Sequence, residues 1–303
     1  MEQLGKVAVL LGGESSEREV SLLSGTEVHQ GLLQAGVDAH LYDTQEQSLF
    51  DLKNQGYERA FIVLHGGAGE DGRVQAVLET MGLPYTGCGV MASAIGMDKL
   101  RCKLIWKAAG LPVPEFAVLQ DGTDFAEVEA RLGLPMFVKP TAEGSSVGVT
   151  KVSEVGQLAQ VYQDLKQFRG DVIAETFIGG GEYTCGILGE EALPSIKIVP
   201  KTEFYDYEAK YFRDDTEYLC PADLSDEDEA LMRRLALQGF QLIGGRGWGR
   251  VDFLRGEDGQ LYLLEVNTVP GMTTHSLVPK AAAQTGKNFS QLCLEILEHA
   301  TLG

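Results

Sequence analysis

Gly249-Arg250-Val251-Asp252-Phe253-Leu254 and Tyr262-Leu263-Leu264-Glu265-Val266-Asn267 are two apolar runs separated by a turn-rich stretch, Gly256-Glu257-Asp258-Gly259-Gln260. Asp-Gly between such runs is a strong hairpin signal, because a type I′ turn needs positive φ at both central residues. With Asp258-Gly259 as a two-residue loop, Asp252 falls opposite Glu265 and Arg250 opposite Asn267. Side chains alternate along a strand, so all four share one face. Like charges directly opposite each other destabilise a sheet unless something positive lies between them. Asp252, Glu265 and Asn267 offer oxygen, which suits Mg²⁺. The alternative is an exposed face of solvated charges. Two details favour the metal: Arg250 and Asn267 on the same face fit an anionic ligand lying above it, and the Pro270-Gly271 turn ends the strand where ligands are commonly gripped.

Working outward, the chain of 303 residues exceeds one comfortable core, so two or three domains are expected. Hydrophobic and charged fractions of 44% and 23% are ordinary globular values. A net charge of −19 argues against nucleic acid or an anionic membrane as partner. Cys88, Cys102, Cys185, Cys220 and Cys293 are scattered without a C-x-x-C pair, which fits reduced thiols in a cytoplasmic protein. The apolar run Val7 to Leu11 is too brief for a signal-peptide core, and no stretch approaches a membrane span.

The first third alternates short apolar runs with amphipathic stretches. Strands are expected at Lys6 to Leu11, Ala39 to Leu41 and Ala60 to Leu64. A helix with a Ser16/Glu19 capping box should bury Val20, Leu23, Val28, Leu32 and Leu33, and another should run from Arg73 to Met81. This βαβ pattern predicts a parallel sheet. One helix is expected over Met91 to Ala109. Further on, strands are expected at Met136 to Val138, Val172 to Ala174 and Tyr183 to Leu188, with helices at Val155 to Gln167, Asp226 to Ile243 and Asn288 to His299. Proline and glycine clusters suggest boundaries that give domains 1–88, 89–180 and 181–303.

Several loops carry chemistry beside plainer explanations. Gly12-Gly13-Glu14-Ser15-Ser16-Glu17 opens a helix and forms an anion-ready turn, but it lacks both the G-x-G-x-x-G and the Walker spacing; Glu17 also reads as an ordinary first-turn acid. His65 to Gly72 follows the third strand, where ligands sit in parallel sheets, or is a plain connection. Lys139 followed by Glu143-Gly144-Ser145-Ser146-Val147-Gly148 offers a cation and free N–H groups for a triphosphate, or is a surface hairpin. Phe204 to Tyr211 is a lid or a packed Ω-loop. Glu175 to Ile178 and Glu182 read as an adenine- and ribose-reading strand exit, or as surface.

Taken in order, these pieces resemble the ATP-grasp superfamily, and within it the D-alanine–D-alanine ligase family. The resemblance spans essentially the whole chain: Gly12-Gly13 with Glu17 to Ser21, His65-Gly66 with Gly69 to Gly72, Met97-Asp98-Lys99, Lys139-Pro140, Glu143 to Gly148, Tyr205 to Tyr211, Gly249 to Asp252, Glu265 to Thr268, and Pro270 to Thr273 with His275-Ser276-Leu277. It implies an α/β chain with an ATP-grasp fold, α+β in the ATP-binding part, and a Rossmann-like parallel-sheet domain in front. The implied reaction phosphorylates one D-alanine carboxylate with ATP. The amine of a second D-alanine then displaces phosphate, giving the dipeptide for peptidoglycan.

The resemblance also implies residue roles. Glu17 holds the first ammonium and forms a network with Ser145 and Tyr211. Lys99, Lys139 and Lys210 neutralise phosphates, with Glu143, Ser145 and Ser146 in the phosphate loop. Glu175, Phe177 and Ile178 read the adenine and Glu182 the ribose. Asp252, Glu265 and Asn267 hold two Mg²⁺, for which Mn²⁺ substitutes. Arg250 and the Gly271 N–H form the oxyanion hole. Ser276 and Leu277 receive the second carboxylate, and His65 lies near the substrates. Tyr211 implies D-alanine in preference to D-lactate as the second substrate. A homodimer is implied as well. Two competing readings are an ATP-grasp ligase for other substrates and a nucleotide-binding protein without the chemistry.

Overall fold

The computed structural model describes residues 4–144, 147–200 and 216–303. Ser145, Ser146, Lys210, Tyr211 and the whole expected lid from Phe204 to Tyr211 lie outside the described residues.

Three parallel strands open the chain: β1 (Val7–Leu11), β2 (Ala39–Asp43) and β3 (Arg59–Ile62), in the order β2-β1-β3. Val7 pairs with Ala39 on one side and Arg59 on the other. Helix α1 (Arg18–Gln34) makes the first crossover and α2 (Arg73–Met81) follows β3. The expected parallel βαβ arrangement is therefore present, and β1 is buried along its length, as a strand covered on both faces should be.

Helix α1 departs from expectation in two ways. The Ser16/Glu19 capping box does not form: the helix starts at Arg18, with Glu17 in the N-cap position and no side-chain cap. Ser15 organises the entry instead. Its hydroxyl donates to the His65 carbonyl at 2.6 Å and accepts from the Glu17 N–H at 3.2 Å. The buried face is only partly the expected one, with Val28 and Leu32 buried. Leu23 and Leu33 are exposed, and the buried stripe is Ser21, Ser24, Gly25, Val28, Gly31 and Leu32. Small residues prevail because α1 lies close on β1 and on the last helix, Phe289–Glu298. A Cβ at Gly25 would stand 2.6 Å from Leu11 Cβ, and one at Gly31 would stand 3.1 Å from the Phe289 ring. Gly25→Ala is expected to lower the unfolding free energy by about 1–3 kcal/mol through overpacking, despite the better helix propensity of alanine. Urea denaturation tests this; an unchanged midpoint would show that α1 can lift off β1 freely.

The helix expected over Met91 to Ala109 is two helices, α3 (Val90–Gly96) and α4 (Lys99–Ala108). Asp98 breaks the run in an extended conformation and caps α4 by accepting from the Arg101 N–H at 3.1 Å. The break lets the Lys99 N–H reach the Thr141 carbonyl at 3.0 Å, which fixes Lys99 beside the loop that follows the strand Met136–Pro140. That strand, β5, belongs to an antiparallel sheet with β4 (Phe116–Leu119), β6 (Thr150–Val152) and β7 (Val172–Thr176), ordered β4-β7-β5-β6.

A third sheet holds β8 (Glu182–Leu188), β9 (Glu191–Ala192), β10 (Ile196–Val199), β11 (Glu217–Leu219), β12 (Trp248–Arg255) and β13 (Leu261–Asn267). Its order is β11-β10-β8-β12-β13, with β9 on β8. Helix Asp226–Leu242 packs behind it, capped by Ser225 and carrying four acids in its first turn, where the helix dipole favours them.

The β12–β13 hairpin pairs Arg250 with Asn267 and Asp252 with Glu265, as expected, but by another route. The turn is not a two-residue loop. Gly256 donates its N–H to the Gln260 carbonyl at 2.8 Å, Gly259 donates to the Gly256 carbonyl, and Gly259 takes φ 86°. That is a three-residue loop with glycine in the left-handed position. It sets Arg255 opposite Leu261 and Phe253 opposite Leu263, one residue away from the expected register. A β-bulge between Asp252 and Phe253 then absorbs Leu264 and restores the pairing at the acids. The two departures cancel.

The largest core is shared between the two ends of the chain. It joins Val7 to Tyr85 with Trp248, Met272, Val278, Leu292, Ile296 and Leu297. Tyr85 and Thr301 exchange backbone hydrogen bonds at 3.3 and 3.1 Å. No helix among the described residues is long and apolar enough to cross a membrane.

Candidate active site

Two cavities share a wall. The larger, about 630 Å³, is lined by Glu17, His65, Arg250, Asn267, Gly271, Ser276 and Leu277. The smaller, about 350 Å³, lies between the second and third sheets and is lined by Lys139, Glu143, Phe177, Ile178, Glu182 and Leu264. Lys99 and Glu265 line both. The α3–α4 break aims Lys99 at this wall, where its ammonium donates to the Glu143 carbonyl at 2.7 Å and lies 3.3 Å from the Glu265 carboxylate.

Asp252 sits behind the larger cavity, only 3% exposed. Arg250 grips it through Nε and Nη2, both at 2.8 Å. Thr184 Oγ1 donates to it at 2.6 Å and Asn267 Nδ2 at 3.0 Å. The two opposed acids are thus kept apart electrostatically by protein cations, Arg250 for Asp252 and Lys99 for Glu265. The bulge has a second effect here. Adjacent residues of a regular strand face opposite ways, yet Leu264 and Glu265 both line the smaller cavity while Leu263 is in the core. An apolar floor and a carboxylate come from neighbouring positions.

The donors fit a hard divalent cation. Among the described residues no three His, Cys, Asp or Glu side chains gather at one point. Two carboxylates and an amide on one strand face suit Mg²⁺, which keeps waters and takes its remaining oxygens from phosphate.

Lys139 and Glu175 form a buried cluster with Lys103, which has no exposure at all. Glu175 Oε1 lies 2.8 Å from Lys103 Nζ, and Oε2 lies 2.7 Å from Lys139 Nζ. Burial opposes the charge on Glu175, yet the two ammoniums together hold its carboxyl below the usual range. The Glu175 side chain is committed to these lysines, so any contact with an adenine falls to backbone groups of this segment.

Residues 41–88 match a family model described as the D-ala D-ala ligase N-terminus, and residues 105–298 match one described as the C-terminus. The chain is 62% identical to D-alanine--D-alanine ligase of Laribacter hongkongensis, covering 99% of this chain and 98% of that one. It is equally identical to that of Neisseria gonorrhoeae, over the full length of both. D-alanine--D-alanine ligase from Bacillus anthracis complexed with ATP superposes with a TM-score of 0.84 at 32% identity, covering 97% of each chain. The chain belongs to the D-alanine–D-alanine ligase family.

His65 of this ligase is buried, and burial pushes its imidazole below the ordinary value, so it is neutral at neutral pH. The Val269 carbonyl can only accept, so Nδ1–H donates to it at 3.0 Å. Nε2 then accepts from Ser24 Oγ at 3.2 Å, and Ser24 Oγ accepts from the Met272 N–H at 3.4 Å. His65 thus ties the Val269–Met272 turn, which presents Gly271, to β3 and α1. A side chain at Gly271 would come within 3.1 Å of Ser276 Oγ.

Glu70, beside Glu17 in the larger cavity, accepts the Gly66 N–H at 2.8 Å. Burial first, then the charge of Glu17, pushes its carboxyl up to about 8. The unfolded carboxyl titrates near 4.5, so between these values the folded ligase holds a proton that the unfolded chain does not. Stability from this group is therefore present at low pH and lost as pH rises through about 8. Glu70→Gln keeps an acceptor for Gly66 and removes the titration. Its melting temperature should fall less than that of the wild type between about pH 5 and 9; parallel profiles would contradict this.

Lys103, Glu70, Ser24 and the bulge at Leu264 were not among the expected site residues. The signal for Lys103 was its spacing, since it stands four positions after Lys99 on one helix and so shares its face. All five cysteines are free in the structure, and burial pushes the Cys88 thiol up to about 11 and that of Cys102 to about 12.

Proposed function

We propose that this ligase joins two D-alanines into D-alanyl-D-alanine at the expense of ATP, through an acyl phosphate, in the cytoplasm. The observation that carries the reading is the wall shared by the two cavities. A nucleotide in the smaller one would present its terminal phosphate at Lys99 and Glu265, directly beside a carboxylate in the larger one. Domains 1–88, 89–180 and 181–303 are assigned in this reading to the first substrate, to the phosphate loop, and to the metal and oxyanion groups.

Glu17 receives the ammonium of the first D-alanine. Lys99 and Lys139, with Lys210, hold the phosphates in line with the substrate carboxylate. One carboxylate oxygen attacks the γ-phosphorus and ADP leaves. The amine of the second D-alanine, held by its carboxylate at Ser276 and Leu277, then attacks the acyl carbon. Arg250 and the Gly271 N–H take the charge that develops on the carbonyl oxygen. Phosphate leaves as the carbonyl re-forms. Asp252, Glu265 and Asn267 would hold Mg²⁺, which supplies positive charge at the phosphate oxygens. His65 keeps the Gly271 turn in place, and Ser145 and Tyr211 complete the network with Glu17. A homodimer is part of the same reading.

The test is phosphate release from ATP and Mg²⁺ with D-alanine, L-alanine, or D-alanine plus D-lactate, with products identified by mass. Release that depends on D-alanine and yields the dipeptide is expected. ATP binding without D-alanine-dependent release would overturn it.

A further inference from the structure

Three strong cations line the larger cavity, and two have acidic partners: Lys99 lies 3.3 Å from Glu265 and Arg250 pairs with Asp252. Lys280 is different. It stands in the first turn of helix Leu277–Gln284, whose N-cap position is Ser276. Helical side chains lean towards the N-terminus, so Lys280 folds back over that end. Its ammonium donates to the His275 carbonyl and lies 4.7 Å from the centre of the Tyr218 ring. Among the described residues no carboxylate reaches it, although the chain carries 44 acids against 25 lysines and arginines. Burial disfavours its charged form, and among the described residues the Cys220 thiol, not a carboxylate, is what opposes that. One of its three donors is used by His275. A partly desolvated ammonium that faces a cavity at a helix N-terminus, with donors to spare, has the chemistry of a carboxylate receptor.

We propose that Lys280 is a specificity-determining residue of the acceptor site, its ammonium pairing with the carboxylate of the second D-alanine beside Ser276. This rests on the reading that Ser276 and Leu277 face that carboxylate. The paired cations of the cavity wall then serve the phosphates and the oxyanion, and Lys280 serves the acceptor. It also follows that an acceptor without a carboxylate loses its partner here.

D-alaninamide is the probe. It has an amine to attack with, but no carboxylate to phosphorylate, so it occupies only the acceptor role. The enzyme is given ATP, Mg²⁺ and a fixed mixture of D-alanine and D-alaninamide, and the ratio of dipeptide to dipeptide amide is read by mass. Within one mixture the ratio does not depend on how much enzyme is folded. The wild type should favour the dipeptide. Lys280→Met should narrow that preference about tenfold, the usual scale of one charge-assisted hydrogen bond, and leave the KM for ATP unchanged. Lys280→Arg should keep most of it. An unchanged ratio in Lys280→Met overturns the proposal. Ser276→Ala separates the two ways this can happen. If it narrows the preference while Lys280→Met does not, the acceptor site stands and Lys280 has no part in it. If neither variant narrows it, the placement of the acceptor fails and the proposal with it.

Discussion

Replacing Arg250 with methionine should lower turnover about 10²–10³-fold, the loss that follows removal of one oxyanion donor. The structure gives a second reason for a large effect. Arg250 holds both oxygens of Asp252 at 2.8 Å, and Asp252 is almost wholly buried. Methionine fills much of the space but leaves that carboxylate with only Thr184 and Asn267. Arg250→Lys is expected to fall between wild type and methionine, because an ammonium keeps the charge but cannot reproduce two parallel bonds. Dipeptide formation under saturating ATP and D-alanine measures the series. Turnover of Arg250→Met within about fivefold of wild type, well short of the loss expected for an oxyanion donor, would remove Arg250 from the oxyanion role.

Glu175→Gln should be the most destabilising change in the nucleotide half of the site, costing about 3–5 kcal/mol, as breaking one side of a buried ion cluster does. It leaves Lys103 and Lys139 facing each other across a neutral amide, and Lys103 has no exposure through which to be hydrated. Lys103→Met should cost less, since Glu175 and Lys139 remain as a neutral pair. The pH dependence follows from the sign of the Lys103 shift. Its folded value is already depressed by burial, and removing Glu175 depresses it further. The unfolded chain then binds a proton that the folded chain lacks, so the stability of Glu175→Gln should recover as pH rises towards the ordinary lysine value. Urea unfolding at neutral and alkaline pH tests both claims. A cost for Lys103→Met equal to or above that for Glu175→Gln would mean that charge balance does not govern the cluster.

What could be read from the residues alone depended on how local the cause was. The pairing of Asp252 with Glu265 was legible because both strands alternate, and alternation confines the register to steps that keep apolar residues inside. The turn was misread because Asp-Gly serves two-residue and three-residue loops alike. Only the cost of burying Leu263 and exposing Leu264, a property of the finished sheet, decides between them. Part of the buried stripe of α1 was missed for a similar reason. Val28 and Leu32 are buried as expected, but where α1 meets β1 and the last helix the close approach takes Ser24, Gly25 and Gly31, and Leu23 and Leu33 are left exposed. The division of Met91 to Ala109 turned on one aspartate whose capping bond competes with helix continuation. Lys139 stood out from its loop and Lys99 only through the resemblance, and both line the smaller cavity. The commitment of Glu175 to two lysines was not, because Lys103 comes from a helix 72 positions away.

The shared core of the two chain ends bears on how the enzyme is made. A ribosome finishes β1, β2 and β3 long before it reaches Leu292, Ile296 and Leu297, which close over them. Through most of synthesis the first-made sheet has its strands but not the apolar side chains of the last helix that cover it. The cover is in place only once the segment through Thr301 has been made and pairs with Tyr85. A chain without Leu292, Ile296 and Leu297 would therefore expose apolar surface on its first-made strands, a surface prone to aggregation.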